Sequence, residues 1–215
     1  MFAGLKMDFK LRGEVFIFYY ILMDTLIIKK DNFIDEDLNT KIEAFFENVE
    51  WKYGEKSINS MMKEALPHWS KYFYMDKTRN GVKMDDVVFE DPCIQQLYEK
   101  IKIHITESNV GMEAKLLRCY ANGHTFGNDA NIHYDDSRED TLTYIFYPLK
   151  TWNVDWGGET IFWDRTNREI IESVIPKSNR MLIFSSKLWH GARPVSRYCN
   201  ILRITFMFKF ILAKK

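Results

Sequence analysis

The pattern of apolar and polar positions predicts helices in the first half of the chain and strands in the second. Asp35 is the expected N-cap of a helix whose apolar face begins at Leu38. Pro92 opens a second helical pattern over residues 93–106, with apolar side chains at three- and four-residue spacing. Residues 57–74 carry a similar spacing, which predicts a further helix interrupted by a proline.

After Gly111 the pattern changes to short runs rich in β-branched and aromatic residues, separated by Gly and Pro turns. A short strand is also predicted near the start, at residues 25–29. The predicted strands of the second half are residues 113–120, 131–135, 141–147, 160–163, 169–175, 180–184 and 200–210. Short strands at this density favour a jelly roll or barrel, so the fold class is α+β with a mainly β core.

A chain of 215 residues is expected to form one domain. We assign residues 23–215 to it, with helical support from 31–110 and a β core from 111–210. Residues 1–22 are interpreted as an N-terminal extension that could add a strand to the core. The apolar run at residues 15–23 is too short to span a bilayer and lacks the small-residue cleavage site of a secretory signal.

Composition and charge narrow the function classes. Hydrophobic residues make up 46% of the chain, which favours a folded domain over disorder. Thirty basic and thirty acidic residues give zero formal net charge, which weighs against nucleic acid as the main partner. Three cysteines without paired spacing predict reduced thiols and a reducing, cytoplasmic location. No membrane partner is expected, and nothing in the sequence indicates an oligomeric state.

Three residues offer metal-binding chemistry: His133, Asp135 and His190. In a strand, residues two apart project to the same side, so His133 and Asp135 can reach one ion. The triplet alone is weak evidence, and His190 strengthens it as a third ligand. Two imidazoles and one carboxylate suit Fe(II) and leave coordination positions open for a co-substrate such as 2-oxoglutarate and for O2. Zn(II) is the alternative metal.

The other histidines have no ligand-spaced partner, and we interpret them as packing or surface residues. They are His68, His104 and His124.

A dicarboxylate co-substrate needs a cation for its far carboxylate, and an Arg fork suits that role. Arg203 and Thr205 lie on the last predicted strand and face the same side. A charged residue in an apolar strand is costly unless paired, which favours Arg203 as the anchor. Arg197, in a predicted turn, is the competing candidate, and Arg193 is a candidate for substrate contact.

Taken together, these motifs resemble the Fe(II)/2-oxoglutarate-dependent dioxygenases, specifically their prolyl-hydroxylase-like branch. The resemblance covers about residues 116–208. Six motifs carry it in order: residues 117–123 ending in Tyr-x-x-Gly, the triplet at 133–135, Arg138 and Thr141 before a strand ending at Tyr147, the Gly-Gly-Glu-Thr turn within 156–162, Pro176 with 180–184, and His190 with Arg203-Ile204-Thr205.

The resemblance implies a double-stranded β-helix with the N-terminal helices packed on one side. It implies iron held by His133, Asp135 and His190, with 2-oxoglutarate chelating the iron and reaching Arg203. Tyr147 or Tyr120 would hydrogen-bond the co-substrate, with Thr143 on the same strand face as Tyr147. Ascorbate is expected as an accessory reductant. The carboxylate of Asp135, which related halogenases lack, argues for hydroxylation.

The sequence departs from the family pattern at two places, one near the substrate entrance and one at the co-substrate anchor. Residues 126–131 form an extra loop between Tyr120 and His133, near the expected substrate entrance. Arg203 replaces the Lys common in collagen-type members. The leading interpretation is hydroxylation of a protein or peptide prolyl residue, with release of succinate and CO2. The alternatives are hydroxylation of a free amino acid or other small metabolite, and a non-catalytic jelly-roll binding module; a nucleic-acid dealkylase is weakened by the neutral charge.

Overall fold

The computed structural model describes residues 26–56, 66–76, 87–109, 111–128 and 130–214. The apolar run at residues 15–23 lies outside this part of the chain. The described helices are α1 (Glu36–Asn48) and α2 (Pro92–Ser108). The described strands are β1 (Ile27–Lys30), β2 (Lys52–Glu55), β3 (His68–Met75), β4 (Met112–His124), β5 (Thr141–Tyr147), β6 (Thr160–Asp164), β7 (Glu169–Val174), β8 (Arg180–Ser185), β9 (His190–Ala192) and β10 (Arg203–Lys214).

Both helices begin at an aspartate N-cap, of which Asp35 was predicted. The Asp35 side chain accepts a hydrogen bond from the Leu38 amide at 2.9 Å, which satisfies one of the free N–H groups of α1. Asp91 caps α2 in the same way, and Pro92 occupies its first turn. The two predicted helices are therefore confirmed. No helix in the described part of the chain is long and apolar enough to cross a membrane.

The helix predicted over residues 57–74 is wrong where the structure describes it. His68–Met75 is strand β3, which pairs with β2 on one side and β4 on the other. The helical spacing of apolar residues was outweighed by cross-strand packing, as in the Tyr72 ring stacked on Tyr120 at 5.4 Å. The region predicted as helical support thus contains a β-hairpin; residues 57–65 lie outside the described segments.

Two antiparallel sheets form the β core. The large sheet has the strand order β1-β8-β5-β10-β4-β3-β2, and the small sheet has the order β7-β6-β9. Their facing strands form the predicted double-stranded β-helix, with the helices packed on the outer face of the large sheet. The jelly-roll prediction is confirmed.

Alternation along β10 separates the structural face of the large sheet from the functional face. Phe206, Phe208 and Phe210 are fully buried in the cluster beneath the two helices. Burying each such ring contributes roughly 1.5–3 kcal/mol. The residues that alternate with them point to the opposite face, toward the small sheet. They include Arg203 and Lys209. The strand therefore anchors the helices with one face and presents polar groups to an interior site with the other.

Candidate metal centre

Three predicted ligands converge at the edge of the small sheet. His133 and His190 exchange two backbone hydrogen bonds, each 2.8 Å long, which fixes their relative position. Asp135 donates its backbone N–H to the Ser186 carbonyl at 2.8 Å, so the triplet is held against the strand that leads to His190. The ligand atoms of the three side chains all lie within 4.8 Å of one another. Residues 55 apart in sequence thus share one site.

Hydrogen bonds orient both imidazoles with Nε2 toward the site. His133 Nδ1 contacts the Asn131 carbonyl at 2.7 Å, and His190 Nδ1 contacts the Leu188 carbonyl at 2.8 Å. A carbonyl only accepts, so each Nδ1 carries the proton and each Nε2 keeps its lone pair. These Nε2 atoms lie 3.7 Å and 3.6 Å from the two Asp135 carboxylate oxygens.

These residues fit a divalent metal ion. The Nε2 atom of His190 is buried and has no hydrogen-bond partner, which is costly for an acceptor inside a protein. A metal between this atom, His133 and Asp135 would satisfy it. Two neutral nitrogens and one carboxylate oxygen on one side of the ion form the donor set that suits Fe(II) and leaves positions open.

Asp135 is held at both of its carboxylate oxygens. Thr143 donates its hydroxyl proton to Oδ2 at 2.7 Å, and Lys209 donates from Nζ to Oδ1 at 2.5 Å. Burial acts to raise the pKa of Asp135, but the Lys209 ammonium and the interactions with His190 and His133 outweigh burial and hold that pKa well below its usual range. The carboxylate is therefore ionised and ready to act as a ligand.

Burial lowers the pKa of His190 from 6.5 to about 4, against the opposing pull of the Asp135 carboxylate. A metal site with exposed histidine ligands would lose affinity below roughly pH 6, because protonated imidazoles cannot bind the metal. For His190 that threshold moves lower, because its imidazole resists protonation until the pH approaches this shifted pKa.

The same shift predicts an acid-dependent loss of stability in the metal-free protein. The unfolded chain takes up a proton on His190 near pH 6.5, whereas the folded chain excludes it down to about pH 4. Stability therefore falls across this window as the pH drops, by about 2 kcal/mol from this group at about pH 5. Urea unfolding at about pH 7 and about pH 5 should show a smaller loss in His190→Gln than in the wild type. Equal losses of stability in the wild type and in His190→Gln would contradict the lowered pKa of His190.

Arg203, the predicted anchor, is buried at the first position of β10. Its Nε donates to the Gly158 carbonyl, and its Nη2 donates to the Thr160 hydroxyl at 3.0 Å. The Thr160 hydroxyl also bonds the Tyr147 hydroxyl at 2.8 Å. Thr205 is buried on the same strand face. Burial lowers the pKa of Arg203, but an Arg titrates so far above neutrality that it stays charged.

Gly158 allows this close approach. Its φ of +72° is strained for other residues, and a Cβ there would lie 2.9 Å from Arg203 Cδ. By contrast, the competing candidate Arg197 is exposed and stacks on its neighbour Tyr198. The structure therefore buries Arg203, and not Arg197, where β10 contacts Gly158 and Thr160 of the small-sheet side.

The remaining predicted residues take different places. Tyr120 lies on β4 with its ring beneath the Lys209 ammonium, 5.3 Å away, and burial raises the pKa of its hydroxyl. Thr143 contacts Asp135, one of the three candidate metal ligands. His68 and His124, which lie outside the candidate metal centre, are buried. Their rings stack on each other with centroids 5.1 Å apart, in the predicted packing role.

Sequence reasoning missed Lys209 and Thr160. Thr160 belongs to the Gly-Gly-Glu-Thr motif, but that motif gave no signal for its contacts with Arg203 and Tyr147. Lys209 did have one, since it is a single charge in the otherwise apolar run 206–212. A charge inside an apolar strand must be paired, and this applies to Lys209 as much as to Arg203.

Comparisons with known proteins agree with this geometry. Residues 116–208 match the family model of the 2OG-Fe(II) oxygenase superfamily. A search of curated proteins gives no match. Among solved structures, an oxidoreductase of the 2OG-Fe(II) oxygenase family from Burkholderia pseudomallei is similar with a TM-score of 0.66 and 12% identity, over 97% of this chain and 96% of that one.

Two prolyl hydroxylases share the fold. A prolyl-4-hydroxylase from Pseudomonas putida has a TM-score of 0.61 and 16% identity, over 89% of this chain and 97% of that one. A prolyl hydroxylase from Trichoplax adhaerens, solved with a hypoxia inducible factor peptide fragment, has a TM-score of 0.62 and 16% identity, over 92% and 89% of the two chains. Residues 116–208, which carry the converged ligand set, thus match the 2OG-Fe(II) oxygenase superfamily, and the comparisons indicate a 2-oxoglutarate-dependent oxygenase.

Proposed function

We propose that this oxygenase hydroxylates an unactivated C–H bond of a protein or peptide prolyl residue, releasing succinate and CO2. The observation that carries the proposal is the intact ligand set His133, Asp135 and His190, on the same interior as the buried Arg203. The retained Asp135 carboxylate favours hydroxylation. The fold likeness to two prolyl hydroxylases supports prolyl as the first substrate class to test.

Bound Fe(II), 2-oxoglutarate and O2 would supply the oxidising chemistry, and the protein positions and shields it. The two histidines and Asp135 would hold the metal, with their tautomers and charge already set. Arg203 would receive the distal carboxylate of the co-substrate, assisted by Thr205 and by Tyr147.

Apolar side chains line the interior between the two sheets and exclude water from the reaction. They are Ile145, Phe162, Leu182, Phe184 and Met207.

The activity is expected in a reducing compartment. The three cysteines are free thiols in the structure, and the same conditions would keep iron ferrous and ascorbate available as an accessory reductant.

Succinate formation tests the class of function. The purified protein is incubated with Fe(II), ascorbate, 2-oxoglutarate and O2, first alone and then with candidate substrates. We expect slow succinate release without substrate and a clear stimulation by the correct one. A protein that binds Co(II) but forms no succinate under any of these conditions would instead be a non-catalytic binding module.

Two substrate panels separate the remaining alternatives. Proline-containing peptides are compared with free amino acids and other small metabolites, each assayed by mass spectrometry for a gain of one oxygen atom. Oxygen gained on a prolyl ring within a peptide supports the proposal. Oxygen gained only on free amino acids or metabolites would replace it with the small-molecule alternative.

A further inference from the structure

Lys209 is a charged residue buried in the middle of an apolar strand. Its neighbours Phe208 and Phe210 point to the opposite face, into the core beneath the helices. Only 9% of the Lys209 side chain is exposed, so its ammonium has lost most of its hydration. A buried ammonium is tolerated only when a carboxylate or other acceptor compensates it.

The compensating group is the metal ligand Asp135. Lys209 Nζ lies 2.5 Å from Asp135 Oδ1, and the Asp135 side chain is only 1% exposed. The Tyr120 ring lies beneath the ammonium and adds a second stabilising contact. Among the described residues, Lys209 is the one lysine or arginine within ion-pair distance of Asp135.

This pairing places a permanent cation on the carboxylate that the metal must use. With Thr143 bonded to the other oxygen, Asp135 is fixed in the orientation that faces His133 and His190. In a metal site the bound ion normally compensates the energetic cost of burying charged ligands close to one another. Here the protein supplies that compensation itself.

We propose that Lys209 is a positioning residue that stands in for the metal at Asp135. In the metal-free protein it compensates the buried Asp135 carboxylate and holds it aimed at His133 and His190. It also weakens metal binding, because the incoming dication must share Asp135 with an ammonium. The centre can therefore lose and regain its metal without unfolding. This inference rests on the proposed function only in taking Asp135 as a metal ligand.

The test compares thermal unfolding with and without Co(II), which replaces Fe(II) and resists oxidation. In Lys209→Met the metal-free protein contains an unpaired buried carboxylate, so its Tm should fall by roughly 10 °C. Saturating Co(II) should recover most of that loss. The Co(II)-induced rise in Tm should thus be larger in the variant than in the wild type, with a Kd for Co(II) about tenfold lower.

Lys115→Met is the matched control. Lys115 pairs with Asp76 at 2.9 Å, is partly buried and is distant in sequence from the ligands. It should change the Tm equally with and without Co(II). The proposal is overturned if Co(II) raises the Tm of Lys209→Met by the same amount as that of the wild type, or by less. A lysine that only packs would not change how much Co(II) raises the Tm.

A second variant covers the case in which Lys209→Met does not fold. In Asp135→Asn/Lys209→Met both charges are absent, so folding should be restored without metal. If the double variant also fails to fold, the defect is one of packing and the proposal is wrong. If the wild type binds no Co(II), the proposed function fails, while the comparison of the metal-free single and double variants still decides the role of Lys209.

Discussion

Asp135→Asn is expected to reduce Fe(II)-dependent succinate formation by more than about a hundredfold. Changes to groups that merely orient metal ligands already cost 10–100-fold, and this one changes a ligand itself. The substitution keeps the shape of the side chain but removes its charge, so the metal loses its single anionic donor. Lys209 also loses its ion pair, although it keeps an acceptor oxygen. Succinate release would measure the loss of activity, and Co(II) absorption spectra would measure the change in the ligands around the metal.

Asp136→Asn is the control for this prediction. Asp136 is the next residue, but its carboxylate pairs with Arg138 at 2.6 Å and is partly exposed. It does not belong to the cluster of ligand atoms. The variant should keep Co(II) binding and succinate formation within about twofold of the wild type, as expected for a partly exposed pair. Asp135→Asn protein that still binds Co(II) and forms succinate at the wild-type rate would exclude Asp135 as a ligand.

The sequence was most informative where one local rule determines the geometry. Asp35 and Pro92 marked the helix starts. The prediction that His133 and Asp135 reach one site is supported by the geometry, but the strand predicted over residues 131–135 is wrong, because only a bridge between His133 and His190 forms there. His190 is different, because no local rule determines which strand will lie beside His133. The two residues meet through backbone pairing although they are 57 residues apart in sequence, and only the ordered set of family motifs predicted that.

Predictions were weakest where tertiary contacts overrode a local pattern. The helical spacing across residues 57–74 was overridden at His68–Met75 by pairing with two neighbouring strands. Lys209 was missed for a related reason. Its charge was visible in the sequence, but its partner is 74 residues away, so its role became clear only when β10 was seen beside the triplet. Polar groups that support a site depend on such long-range neighbours more than the ligands do.

Arg203→Met is expected to raise the KM for 2-oxoglutarate by about a hundredfold, equivalent to about 2.7 kcal/mol. The buried guanidinium is the cation best placed to bind the distal carboxylate, and a desolvated charge pair of this kind is worth several kcal/mol. The metal ligands are untouched, so Co(II) binding should be unchanged. The wild type should strongly prefer 2-oxoglutarate over 2-oxopentanoate, which lacks the second carboxylate. The variant should lose that preference.

Arg197→Met distinguishes this anchor from its competitor. Arg197 is exposed in the segment between β9 and β10, so its loss should leave the KM for 2-oxoglutarate and the preference over 2-oxopentanoate unchanged. The opposite result, with Arg197→Met losing the preference and Arg203→Met keeping it, would move the co-substrate site to the surface loop. In that case the bonds from Arg203 to Gly158 and Thr160 would serve only to join β10 to the small sheet. Arg203→Met should then lower the Tm without altering co-substrate selectivity.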